Sequence, residues 1–263
     1  MNTNPLIAEM KLPGQTVKLP SAGLFYKNGE LSDSVKNGEV HLYPITAYHE
    51  ILLKSPDFLL SGTAVERVFR DCIPDIIKPL DLITKDVDFL FVCLRKITFG
   101  DEIEFEYTHH CDDAKKHRYV TNVSSLLNKT VRLDPTLVDD TFSIKLDNNY
   151  VINIHPLRFR DFITLNDAPN NSMNTPEDQF TYVVNSLLST ISSVVTPSGM
   201  EVSDKDLIKE WLIPLGSNYF RHITSKINDS AKWGPIFEAT CKCQDCNEDF
   251  PVDIPVNPVL VFF

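Results

Sequence analysis

Phe105-Glu-Tyr-Thr-His-His-Cys111 and Phe237-Glu-Ala-Thr-Cys-Lys-Cys243 are two strand-like stretches, far apart in the chain, that each enter a turn made of cysteine and histidine. The first continues a period-two pattern in which Ile103, Phe105 and Tyr107 alternate with Glu102, Glu104 and Glu106. That alternation specifies a half-buried strand with an acidic outer face. The second runs on through Gln244-Asp-Cys246, completing C-x-C and C-x-x-C, and Phe250-Pro-Val-Asp-Ile-Pro255 leaves it as another strand. Both stretches read as β-hairpins whose tips carry metal-ligand residue types.

What precedes each hairpin is similar. Glu39-Val-His-Leu-Tyr43 is a short strand followed by Pro44 and a helix capped by Thr46 over Ala47 to Lys54; further helices are expected over Leu59–Cys72 and about Val87–Ile97. Downstream, Tyr150-Val-Ile-Asn-Ile-His-Pro156 is again strand then proline, followed by helical 157–164, a Pro/Asn-rich loop, a helix opened by Pro176 and reaching about Val194, and helices near 204–212 and 219–227. The expected class is α+β: two similar, mainly helical units with short strands, read as an internal duplication. The boundaries are an extended N-terminal arm at 1–38, a first unit at 39–123, a connector at 124–149 and a second unit at 150–263.

Composition removes several classes of function. The 263 residues carry 36 acidic and 25 basic side chains, a formal charge of −11, which opposes broad binding to a phosphate backbone. None of the nine glycines builds a G-x-G-x-x-G, a phosphate loop or a nucleophile elbow. There is no secretory leader pattern and no apolar run near the roughly 20 residues that span a bilayer, so a cytoplasmically made protein without a membrane span is expected. In that reducing setting the six cysteines are thiols or metal ligands rather than disulfides.

Cysteines separated by two residues in a tight turn present two thiolates to one tetrahedral ion. One knuckle gives two ligands, and a closed site needs four. Cys243 and Cys246 supply the first pair; Cys111 with His109 or His110 supplies the rest, a split zinc ribbon of structural type joining the two hairpins. The competing reading is a pair of free thiols, since Thr108 stands where a second C-x-x-C would need cysteine. Cys72 and Cys93 fall on apolar helical faces and are core residues. His41, His49, His117, His155 and His222 are scattered, and no H-E-x-x-H occurs, so no catalytic residue is assigned. Glu102, Glu104 and Glu106 form a solvated or partner-facing stripe. Val259-Leu-Val-Phe-Phe263 ends the sequence on large apolar residues, with Phe262 and Phe263 either tucked into the chain's own core or docked on a partner.

Taken in order, Leu19-Pro-Ser-Ala-Gly-Leu24, Val40-His-Leu-Tyr-Pro-Ile-Thr46, Gly62-Thr-Ala-Val65, Thr98-Phe-Gly-Asp-Glu-Ile-Glu-Phe-Glu106, the cysteine knuckle and Ile254-Pro-Val-Asn-Pro258 resemble the baseplate hub and hub-assembly proteins of T4-type contractile-tailed phages. The resemblance spans roughly residues 12 to 263. The family usually has a full C-x-x-C where this chain has Thr108-His-His-Cys111. It implies a non-enzymatic tail protein, a component or assembly factor of the baseplate hub, that binds other hub or tail proteins in the virion or, during assembly, in the host cytoplasm. The residues alone also admit a zinc-ribbon adaptor of an unrelated complex, or a hydrolase using His109 or His110.

Overall fold

The computed structural model describes residues 13–111, 116–167 and 175–254. Helices and small antiparallel sheets alternate along the chain, an α+β arrangement. β1 (Gln15–Lys18) pairs with β2 (Glu39–Leu42), and three short helices follow: α1 (Ala47–Leu53), α2 (Pro56–Leu60) and α3 (Thr63–Cys72). The long α4 (Thr84–Phe99) leads into the hairpin β3 (Glu102–Thr108) and β4 (Lys116–Asn122), then α5 (Val123–Asn128) and α6 (Val138–Thr141). A four-stranded sheet is built from β5 (Ser143–Lys145), β6 (Val151–Ile154), β7 (Ile191–Val195) and β8 (Glu201–Val202), in that spatial order. Around it run α7 (Phe159–Asp167), α8 (Pro176–Leu188), α9 (Lys205–Leu212) and α10 (Ser217–Ser230). The hairpin β9 (Glu238–Lys242) and β10 (Asp249–Asp253) closes the described chain.

Two expected helices take a different form. The stretch Leu59–Cys72 is broken into α2 and α3, because Gly62 sits at φ 74°, where a Cβ would come within 2.3 Å of Ile163 Cδ1. Only glycine fits such a left-handed, crowded position. The helix opened by Pro176 stops at Leu188, and Ile191–Val195 is β7. There Ile191, Val194 and Val195 are β-branched, stiff at χ1, and gain more from packing on the pleated surface beside β6 than from continuing a helix.

Three apolar clusters hold these elements together. The first gathers Leu42, Leu53, Val68, Phe69, Leu90 and Leu94 around α4, whose residues from Phe89 to Leu94 are all buried. A second cluster packs Ile144, Ile152, Ile191, Ile208, Leu212 and Ile223, between the four-stranded sheet and the helices α9 and α10. The third is smaller and joins the two hairpins to α4 and α5 through Val92, Ile103, Tyr119, Val123, Phe250 and Val252.

One buried polar knot ties the N-terminal segment to the helical body. Asp86, fully buried in the first turn of α4, accepts the Ser21 N–H at 3.0 Å, the Ser21 hydroxyl at 2.5 Å and the Tyr26 hydroxyl at 2.6 Å. Tyr26 in turn accepts the Ile83 N–H at 3.0 Å. Burial raises the Asp86 carboxyl to about 6, against the three donors that favour its charged form.

Candidate metal centre

The two hairpins lie tip to tip. In β3 and β4 the register runs from Glu102 opposite Asn122 to Thr108 opposite Lys116, so His109, His110 and Cys111 begin the connection between the strands. In β9 and β10 it runs from Glu238 opposite Asp253 to Lys242 opposite Asp249, leaving Cys243–Glu248 as the tip. That tip closes through Cys243 N–H to the Glu248 carbonyl at 2.8 Å and Asn247 N–H to the Cys243 carbonyl at 3.1 Å. Asn247 takes φ 61°, a left-handed position that asparagine tolerates better than most residues.

Phe250 is the apolar link between the tips. Its ring lies 4.4 Å from the His109 ring, 5.4 Å from Tyr107 and 5.8 Å from Tyr119, centroid to centroid. Two polar contacts add to it: His117 pairs with Asp245, and the Gln244 side-chain amide donates to the Arg118 carbonyl at 3.1 Å. These contacts bring donors from residues more than a hundred positions apart to one point.

That point is a Cys₃His cluster. Ligand atoms of His109, Cys111, Cys243 and Cys246 all lie within 4.8 Å of one another. Cys111 Sγ is 3.5 Å from Cys243 Sγ, and Cys246 Sγ is 3.6 Å from His109 Nδ1. A tetrahedral zinc with bonds of about 2.3 Å to sulfur and about 2.05 Å to nitrogen has edges of about 3.8 Å (S to S) and about 3.6 Å (S to N). These two separations match the corresponding edges to within a few tenths of an ångström.

The electrostatics are those of a thiolate nest. Backbone N–H groups of Cys246 and Asp245 point at the Cys243 sulfur and bring its thiol down to about 7. Cys111 moves the other way, to about 12, because its thiol is hydrogen-bonded to the Cys243 sulfur and would otherwise place a second negative charge beside it. Three thiolates at this spacing repel one another unless a cation stands between them. His109 is buried, 3% exposed, and its Nε2 is a buried polar atom without a hydrogen bond. The nearest carboxylate to that nitrogen in the cluster is Glu248, at 3.9 Å. A histidine that ligates through one nitrogen presents the other to just such a carboxylate.

The other residues to which the sequence points fall in different places. His110 is exposed, 3.9 Å from Glu248 but not within the Cys₃His set. Cys241, two residues before Cys243, is buried among Ala239 and Phe250 and contributes packing. Glu102, Glu104 and Glu106 all stand exposed on the outer face of β3, and Arg118 from β4 lies 3.5 Å from both Glu104 and Glu106. Phe262 and Phe263 lie outside the described residues. Sequence pattern does not single out Glu248, Asp245 or His117 as neighbours of the cluster. Phe250 alone carries a signal, since it stands where the alternation of β10 turns inward next to the knuckle.

Two other arrangements of reactive side chains are accounted for by packing. Cys72 Sγ, His49 Nδ1 and Asp71 line up at 3.5 Å and, through His49 Nε2, 3.2 Å. His49 Nδ1 already accepts the Thr46 N–H at 3.1 Å, and burial holds the Cys72 thiol at about 12, so the set clamps α1 to α3. A cavity of about 600 Å³ lies between α7 and α8, lined by His155, Arg158, Asp161, Tyr182 and Lys205. Two of its cations are committed to the fold, Arg158 to Glu30 and the carbonyls of Asp81 and Phe25, and Lys205 to the carbonyls of Leu188 and Ile191, while Lys27 lines the mouth beside them. No helix of the described residues is long and apolar enough to cross a membrane.

Among known proteins, the family model described as T4 bacteriophage base plate protein aligns with residues 30–257 of the chain. No curated protein and no solved structure matches it.

Proposed function

The chain belongs to the T4 bacteriophage base plate protein family, and from that premise we propose that it serves the baseplate hub, as a component or as an assembly factor, by binding other tail proteins without catalysis. The match over residues 30–257 carries the reading, because it takes in both helical regions and both hairpin tips. The exposed Glu102, Glu104 and Glu106 are the proposed partner-facing stripe: carboxylates on a solvated strand steer a basic partner while keeping the chain dispersed.

Within that role the Cys₃His cluster is a structural zinc site. His109, Cys111, Cys243 and Cys246 would hold the ion, closing its coordination with protein donors alone, the pattern of structural rather than catalytic zinc. Bound there, zinc neutralises the thiolates and contributes folding free energy. The chain's own part is to deliver the donors: the β3 and β9–β10 registers set their height, Phe250 holds the His109 ring, and the N–H groups of the knuckle stabilise the Cys243 thiolate.

Affinity capture from infected cells tests the assembly role. Recovery of baseplate hub proteins is expected, and mass spectrometry of purified mature tails then separates a resident component from a factor that leaves. Recovery of no tail protein, with tails assembling normally when the gene is silenced, would defeat the proposal.

A further inference from the structure

The two edges of the β1–β2 ribbon are finished differently. On the outer edge of β2 each outward N–H is satisfied within the chain: Glu39 donates to the Lys36 carbonyl at 3.1 Å, His41 to Asp75 Oδ2 at 2.8 Å, and Tyr43 to the Cys72 carbonyl at 2.8 Å. Outward N–H groups at 39, 41 and 43 mean that their opposite numbers on β1, Lys18 across from Glu39 and Thr16 across from His41, also point their backbone groups away from the ribbon. The Leu19 N–H donating inward to Gly38 at 2.8 Å agrees with that alternation. Among the described residues, no strand pairs with the outer edge of β1.

This edge borders a groove of about 390 Å³. Its floor holds the buried apolar Phe89 and Cys93 of α4 and Leu127 of α5 beside the polar Ser124 and Asn128, and its rim carries Lys18, Lys96 and Arg132. Lys96 shares part of its charge with Asp101, 3.8 Å away. The charges converge on the floor: burial pushes the Cys93 thiol up to about 12, and Lys96 and Arg132 both act on it in the opposite sense. An unpaired strand edge offers main-chain hydrogen bonds to an added strand, and such an edge is ordinarily blunted or covered. Three cations on the rim of a −11 chain select what covers it.

We propose that the outer edge of β1 is a docking site for an extended acidic segment of a partner protein, which adds as a strand beside Thr16 and Lys18, inserts alternate apolar side chains toward Phe89 and Leu127, and sets its carboxylates against Lys18, Lys96 and Arg132. The site is independent of the Cys₃His cluster and of the acidic stripe on β3, and it extends the assembly role by naming the chemistry of one partner.

The test is titration of the full-length chain with a fluorescent peptide of about seven residues alternating glutamate and valine. Saturable binding is expected, weakening about tenfold in Arg132→Glu, about tenfold in Thr16→Pro, and steeply as salt is raised; the same peptide with lysine for glutamate should not bind. Proline at 16 removes one outward N–H while leaving the β1–β2 bonds in place, and the exposed Arg132 variant remains informative if Thr16→Pro fails to fold. Equal binding by wild type and both variants, or no binding by the full chain, overturns the proposal. So does binding that appears only after residues 2–12 are deleted, which would assign the edge to the chain's own N-terminal segment. Equally effective displacement by a single-stranded oligonucleotide would assign the groove to phosphates and overturn it as well.

Discussion

The helical body around α4 and the paired hairpins solve the same problem with different means. Around Leu90 and Phe69 the body buries a large set of aliphatic and aromatic side chains, enough to be held by apolar burial, with buried polar ties at Asp86 and His49. The hairpin lobe has a small apolar cluster in which Cys241, Cys243 and Ala239 take places that larger side chains fill elsewhere. Two-stranded ribbons are marginal on their own, and here two of them meet through Phe250 and four potential metal ligands. Dependence on an ion should therefore lie in the hairpin lobe, which has less apolar area.

Chelation should break that comparison most. With zinc removed by a strong chelator, amide exchange protection in 102–108, 116–122 and 238–253 is expected to fall by at least about a hundredfold, since metal binding in small sites is folding free energy. Protection in α4 and β6 should stay within about threefold. Uniform loss across both regions would show that the lobes are not separable in this way.

Leu90→Ala tests the other side. It removes a fully buried side chain from the body and should cost about 2–5 kcal/mol in denaturant unfolding while leaving the metal content unchanged. A variant that lost its metal along with its stability would mean the hairpins rest on the body's packing rather than on their own donors.

Asp86 supplies a smaller effect with a defined pH sign. Its folded carboxyl stands at about 6 against an ordinary 3.8, so the folded state holds the proton more tightly than the unfolded one. The stability contributed by that proton is fully present below about pH 4 and is lost as pH rises through about 6. Asp86→Asn should flatten this dependence between pH 4 and 6, whereas Asp86→Ala, which leaves the Ser21 and Tyr26 hydroxyls without an acceptor, should cost about 1–3 kcal/mol at pH 7. An unchanged pH profile in the asparagine variant would contradict the assignment. Smallest of all, Arg118→Ala should shift stability by less than about 0.5 kcal/mol, because the ion pairs to Glu104 and Glu106 are solvent-screened.

Much of this contrast is legible in the sequence because it rests on local pattern. Alternation marks the β3 strand and its acidic face, the apolar run Phe89–Leu94 marks α4, and the matched Cys/His turns hold the donors His109, Cys111, Cys243 and Cys246. Local pattern fails where long-range packing decides. Gly62 divides a helical stretch because Ile163 of α7 crowds it, and Ile191–Val195 becomes strand because β6 lies beside it. Glu248 and Phe250 acquire their places at the cluster only when the second hairpin folds over the first. The unequal edges of the β1–β2 ribbon are equally invisible, since they follow from where Asp75 and the Cys72 carbonyl come to rest.

Metal stoichiometry by inductively coupled plasma mass spectrometry, on protein purified without chelators, reads out the Cys₃His site itself. One zinc per wild-type chain is expected, falling below about 0.2 in Cys243→Ser and in His109→Ala while Cys241→Ser retains it. A wild-type chain without zinc whose hairpin amides are nonetheless protected would rule out the structural zinc site, as would retention of zinc after loss of Cys243.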